Sequence, residues 1–146
     1  MISPCHSFAL VVCKRPTDGK FLLVDEFCCW NVAALGARVN AGERYADAAV
    51  REAREEVGVD IKLTGIIAIR QVLSAHYTHL SFIFMAEPML NSRPPKTLPD
   101  FNSKDAAWAS IAEIMSDTIR IRDNEPRIYC KYVADGGVVA PLSLLW

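Results

Sequence analysis

A chain of 146 residues, 51% hydrophobic and 23% charged, is long enough to bury one core without metal or disulfide staples. Its formal net charge of −1 supplies no global basic field for a nucleic acid, so a small anionic ligand would need local cations or a metal. No apolar run reaches the about 20 residues of a membrane span, and residues 1–12, with Pro4 and His6 and no basic leader, do not read as a signal peptide.

In chain order, Ser7 to Lys14 and Phe21 to Phe27 are apolar runs rich in β-formers. The turn signal Arg15-Pro16-Thr17-Asp18-Gly19 between them predicts a hairpin. Trp30 to Leu35 reads as a short strand and Gly36 to Gly42 as a loop. From Glu43 to Val57 the pattern turns helical, with Tyr45, Ala48, Ala49, Ala53 and Val57 on one face and Gly58 placed to end the helix. Val59 to Leu73 predicts a strand broken near Thr64-Gly65, and Leu80 to Ala86 a central strand. The three prolines of Asn91 to Asp100 mark a loop. A strand follows around Trp108, then a helix start at Ile111 to Met115 and a helix over Asn124 to Ala134. No repeat and no domain boundary interrupts the chain. The expectation is one domain over residues 1–146, a layered α/β fold with a mixed sheet.

The five cysteines are odd in number and show no CxxC spacing. Buried or half-buried free thiols in a reducing, cytoplasmic compartment are the expectation.

The chemistry concentrates on the first helix. Glu52, Glu55 and Glu56 stand at i, i+3 and i+4, so their carboxylates share a face and repel one another. A hard divalent cation would reverse that penalty, since Mg²⁺ takes carboxylate and phosphate oxygens together. The plainer reading is a solvated acidic face with Arg51 and Arg54 as partners. The wider spacing decides between them. Seven residues separate Arg51 from Glu43, and five separate Glu43 from Ala37. The set Ala37, Glu43, Arg51, Glu52, Ala53, Glu55, Glu56, Gly58 and Val59 resembles the Nudix box, Gly-x5-Glu-x7-Arg-Glu-U-x-Glu-Glu-x-Gly-U with U apolar. Its first position departs, alanine for glycine. If that position needs a positive φ, alanine costs on the order of 1 kcal/mol there.

The resemblance implies a Nudix fold, an α/β/α sandwich with a central mixed sheet, and a MutT-like hydrolase that cuts phosphoanhydride bonds. It implies that Glu52, Glu55 and Glu56, with the backbone carbonyl of Gly36, hold Mg²⁺, with Mn²⁺ as a substitute. Glu43 and Arg51 would form a structural ion pair. Glu55 is the candidate general base, with Glu87 a second. A small-molecule nucleotide is the implied partner, without membrane or nucleic acid, and dimers are common in the family. Base or sugar contacts would come from Phe8, Phe27, Trp30, His76, Tyr77, His79, Phe82 or Phe84. Ala106-Ala107-Trp108 with the following Ile111–Ile114 and Ile119-Arg120-Ile121-Arg122 resembles enzymes that sanitise oxidised purine nucleotides. The competing function is a binding module of the same fold without turnover.

Overall fold

The computed structural model describes residues 2–32, 37–100 and 103–145. Its elements are β1 (Cys5–Cys13), β2 (Phe21–Asp25), β3 (Trp30–Val32), β4 (Ala37–Arg38), α1 (Tyr45–Val57), β5 (Ile61–Leu73), β6 (Thr78–Pro88), β7 (Asp105–Ala109), α2 (Ile111–Met115) and α3 (Glu125–Ala134), then a 3₁₀ turn at Leu142–Leu144. The strands form two sheets, in the orders β4-β1-β6-β5 and β3-β2-β7. The first is mixed, because β1 and β6 run parallel from Cys5↔Thr78 to Cys13↔Ala86 while β4 and β5 are antiparallel to their neighbours.

Successive side chains of a strand point to opposite faces, and both faces of β1 and β2 are buried. Ala9, Val11 and Cys13 join Leu22 and Val24 in a cluster with Ala48, Ala49, Ala53 and Val57 of α1. The alternate residues Leu10, Val12, Phe21 and Leu23 join a second cluster with Ile83, Ile114, Cys130 and Val133, which brings in α2 and α3. Helices thus cover the sheet layer from two sides. Continuous apolar runs are what two-sided burial demands.

The expected hairpin of the first two strands does not form. Its turn does: the Arg15 amide donates to the Lys20 carbonyl at 2.8 Å, and Lys14 and Phe21 make one antiparallel bridge. Beyond that bridge the strands part into different sheets, because β4 and β6 occupy both edges of β1. The stretch read as a loop from Gly36 to Gly42 contains a short strand, with Ala37 opposite Ala9 and Arg38 opposite Phe8. Ala37 is extended and buried in the first cluster, so no positive φ burdens the alanine. The expected break in β5 is a register shift between Leu63 and Gly65. The thiols divide: Cys13, Cys29 and Cys130 are buried, whereas Cys5 and Cys28 are exposed.

Candidate active site

Helix α1 lies close to the first sheet because the residues facing it are small: Ala48, Ala49 and Ala53 are fully buried. A bulky residue at 53 would hold the helix away. Tyr45 adds a contact at the helix start, its hydroxyl 2.7 Å from Ser7 Oγ and its ring centroid 4.4 Å from that of Phe82. The helix ends at Gly58, whose φ of 72° is the left-handed region glycine enters freely; its amide donates to the Arg54 carbonyl at 3.0 Å.

With the apolar face fixed, the acidic residues fall on the sides of the helix. Arg51 organises them. Its Nε donates to Glu43 Oε1 at 2.7 Å and its Nη2 to Glu43 Oε2 at 3.0 Å, a two-point fork tying the loop to the helix. Its Nη1 reaches Glu52 Oε1 at 2.5 Å and Glu55 Oε2 at 3.3 Å. Its Nη2 also reaches the carbonyl of Arg38, linking helix to β4. Glu43 Oε2 in turn accepts the Asn40 amide at 2.9 Å. The Arg51 guanidinium, helped by that amide, holds the Glu43 carboxyl down at about 2, and Glu43 and Glu52 push the guanidinium up. The Glu43–Arg51 ion pair that the resemblance implies is therefore present. Arg54, expected to balance the same face, turns instead to Asp60 at 3.4 Å.

Glu52 and Glu55 thus present oxygens to the same nitrogen, and Glu56 stands one turn beyond Glu52. Their side chains differ in exposure, 20% for Glu52 against 52% for Glu55. Among the described residues, no three His, Cys, Asp or Glu side chains stand grouped closely enough to hold a metal ion as they are placed. The donor set nonetheless suits a hard cation. It is all oxygen, carries excess negative charge, and two of its carboxylates already converge on a cationic group. Gly36, the expected carbonyl ligand, lies outside the described residues.

The other candidates scatter. Phe84 is fully buried and Phe82 packs on the α1 side of the sheet, so both are core. Phe27 is exposed, with a φ of 71°. Trp30 packs against the second cluster, and His76 sits in the β5–β6 turn with its amide on Ser74 Oγ. Phe8, Tyr77 and His79 come together with His6, the His79 ring lying 5.1 Å from Phe8 and 4.6 Å from Tyr77. Glu87, at the end of β6 opposite Lys62, lines a cleft with Val59, Asp60 and Trp108 beyond the C-terminal end of α1.

Two polar residues that sequence reasoning passed over are fully buried, Asn31 and Ser103. Asn31 donates to Glu26 Oε2 at 3.2 Å, where Arg122 also binds at 2.8 Å. Ser103 donates to the backbone carbonyl of Glu56 at 2.7 Å. No local pattern marked either one: Ser103 meets a backbone carbonyl 47 residues away, and Asn31 meets Glu26 only once the chain has turned between β2 and β3.

The model of the NUDIX domain matches residues 6–131, which includes both sheets and the whole acidic segment. The chain belongs to the NUDIX family. This family acts on phosphorus-containing acid anhydrides. Among solved structures, a NUDIX hydrolase from Nitrosomonas europaea shares 26% identity at a TM-score of 0.77, covering 99% of this chain and 97% of that one. A MutT protein from Methanosarcina mazei shares the fold at 13% identity and a TM-score of 0.66, covering 92% and 97%. A Caenorhabditis elegans relative carrying a nudix hydrolase name is 26% identical over 120 residues. That match takes in 80% of this chain but spans only 32% of the relative's length. The Nudix fold of the chain is the mixed-sheet arrangement described above, with α1 as the helix of the box. Among the described residues no helix is long and apolar enough to cross a membrane.

Proposed function

We propose that this Nudix domain, one unit over residues 1–146, is a Mg²⁺-dependent pyrophosphohydrolase. It would cut a phosphoanhydride bond in a nucleoside di- or triphosphate or another nucleoside-diphosphate-linked compound. The observation that supports this most is the convergence of Glu52 and Glu55 on one guanidinium nitrogen, with Glu43 locking the same arginine. Arg51 offsets part of the repulsion among these carboxylates and gathers oxygens of the kind a hard divalent cation takes.

In this reading Glu52, Glu55 and Glu56, with the Gly36 carbonyl, hold Mg²⁺, or Mn²⁺ in its place. The bound ion supplies charge neutralisation at the diphosphate oxygens and lowers the pKa of water. Glu55, the more exposed of the Arg51-bound pair, accepts the proton of the attacking water. Arg51 keeps Glu52 and Glu55 from turning outward, and the Glu43 fork keeps Arg51 in place. Oxidised purine nucleotides are the first substrates to test, on the likeness around Trp108. Ordinary (deoxy)nucleoside di- and triphosphates follow, then sugar nucleotides and dinucleoside polyphosphates. Two exposed and three buried free thiols suit a reducing cytoplasm, and a homodimer is the assembly to look for by sedimentation.

The test is phosphate or pyrophosphate release from that nucleotide panel with Mg²⁺, comparing wild type with Glu55→Gln and Glu56→Gln. Turnover that needs metal and collapses in the variants supports the proposal. Nucleotide binding without turnover by the wild type would instead establish the binding module.

A further inference from the structure

An α-helix leaves its last four carbonyls without intrahelical donors, and its last turn frays unless something outside supplies them. In α1 three of these carbonyls are supplied. Arg54 takes the Gly58 amide, as in any glycine-capped helix, but the next two donors come from the β6–β7 segment. The Lys96 amide donates to the Val57 carbonyl at 3.0 Å, and the Ser103 hydroxyl donates to the Glu56 carbonyl at 2.7 Å.

These two donors belong to one closed arrangement. Asp100 Oδ1 accepts the Ser103 amide at 3.1 Å, and the Asp100 amide donates to the Ser103 carbonyl at 3.0 Å. Asp100 Oδ2 lies 2.6 Å from Lys96 Nζ, and the Lys96 carbonyl accepts the Ala106 amide at 3.1 Å, which fastens the segment to β7. Lys96 also lies directly against the cap: its Cβ is 3.7 Å, and its amide nitrogen 3.9 Å, from where a side chain at Gly58 would begin. A lysine here further suits the negative end of the helix dipole. Ser103 has no solvent exposure, so water cannot replace its hydroxyl without the segment moving away.

Glu56 is the penultimate residue of α1, and its own carbonyl is the group Ser103 holds. We propose that the Lys96–Asp100–Ser103 strap fixes the last turn of α1, and that Ser103 is a positioning residue that aims the Glu56 carboxylate at the metal. This rests on the metal reading above. It places a requirement of the site in a segment outside the acidic motif, on a residue that touches neither metal nor substrate.

The experiment compares wild type, Ser103→Ala, Ser103→Thr and Ile114→Val, the last a core destabilisation on α2, in the second cluster. Two readouts are taken: Mn²⁺ affinity by titration calorimetry, and amide hydrogen exchange of Val57 and Gly58. Ser103→Ala is expected to weaken Mn²⁺ binding by about tenfold, the scale seen for partners that orient metal ligands, and to speed exchange at both amides. Ser103→Thr, which keeps the hydroxyl, should restore both, and Ile114→Val should alter neither beyond its effect on global stability. Unchanged exchange in Ser103→Ala overturns the strap, whatever the metal does. Faster exchange with unchanged Mn²⁺ affinity overturns the positioning role while leaving the strap. A wild type that binds no Mn²⁺ refutes the metal reading itself, and the positioning role with it.

Discussion

Replacing Gly65 by alanine is expected to unfasten the C-terminal segment from the edge strand β5. A Cβ at this position would lie 2.2 Å from Val139 Cγ1 and 2.8 Å from the Ala140 carbonyl oxygen. Neither neighbour yields cheaply. Valine is stiff at χ1, and the Ala140 carbonyl is engaged, accepting the Ile66 amide at 2.8 Å while the Ala140 amide donates to Ile66 at 2.8 Å. The bridge must open, and two backbone hydrogen bonds at about 1 kcal/mol each set the loss near 2 kcal/mol. For a domain of 146 residues that lowers the melting temperature by about 6 °C. Thermal unfolding followed by circular dichroism measures it, with amide exchange at Ile66 and Ala140 as the local readout. Adding Val139→Ala should recover only part of the loss, because the contact with the Ala140 carbonyl persists. A Gly65→Ala melt within about 1 °C of wild type, less than one hydrogen bond's worth, refutes the reasoning.

Arg51→Ala should lower thermal stability at neutral pH, since it strands Glu43, Glu52 and Glu55 together. Because Glu43 is held at about 2 against an ordinary 4.5, the stabilisation it draws from Arg51 is complete above pH 4.5 and fades as pH falls through 2. Melting curves of the two proteins should therefore converge in acid, and a gap that stays constant down to pH 2 contradicts the pairing. Burial pushes the thiols of Cys13 and Cys130 up to about 12 from 9.0, so their contribution is whole below pH 9 and is lost as pH rises toward 12. A disulfide reagent at pH 8 should react promptly with the exposed Cys5 and Cys28 and with Cys13 and Cys130 only after unfolding. Prompt labelling of Cys13 or Cys130 counts against the buried clusters.

The acidic helix was legible in the sequence because its information is periodic. A carboxylate three or four residues from another must share its face, and an arginine eight residues beyond Glu43 can reach back to it once the loop turns at Gly42. The helix end was legible for a similar local reason, a glycine at the left-handed position. Strand pairing was not local. The apolar runs of β1 and β2 showed that both would be buried, but nothing in them stated that β6 would claim the edge of β1 that β2 was expected to fill. The alanine at position 37 looked like a cost at a glycine position, whereas it lies in a strand that a sequence pattern of two residues cannot announce. Ser103 gave no signal because its partner is a backbone carbonyl 47 residues away. The aromatic candidates were identified as residue types, and only the fold sorted the buried Phe84 and the half-buried Phe8 and Phe82, packed on the two core clusters, from Tyr77 and His79 at the open end of β6.

The central claim is that the α1 carboxylates work through a divalent cation to cleave a phosphoanhydride. Its most direct test is the Mg²⁺ dependence of turnover for the best nucleotide of the panel, measured for wild type and for Glu56→Gln. Wild-type turnover should vanish with chelator and return with Mg²⁺. The isosteric variant should be slower by at least about a hundredfold, the scale on which losing charge stabilisation at a reacting centre is felt. Turnover that persists in chelator, or a Glu56→Gln enzyme as fast as wild type, contradicts the claim.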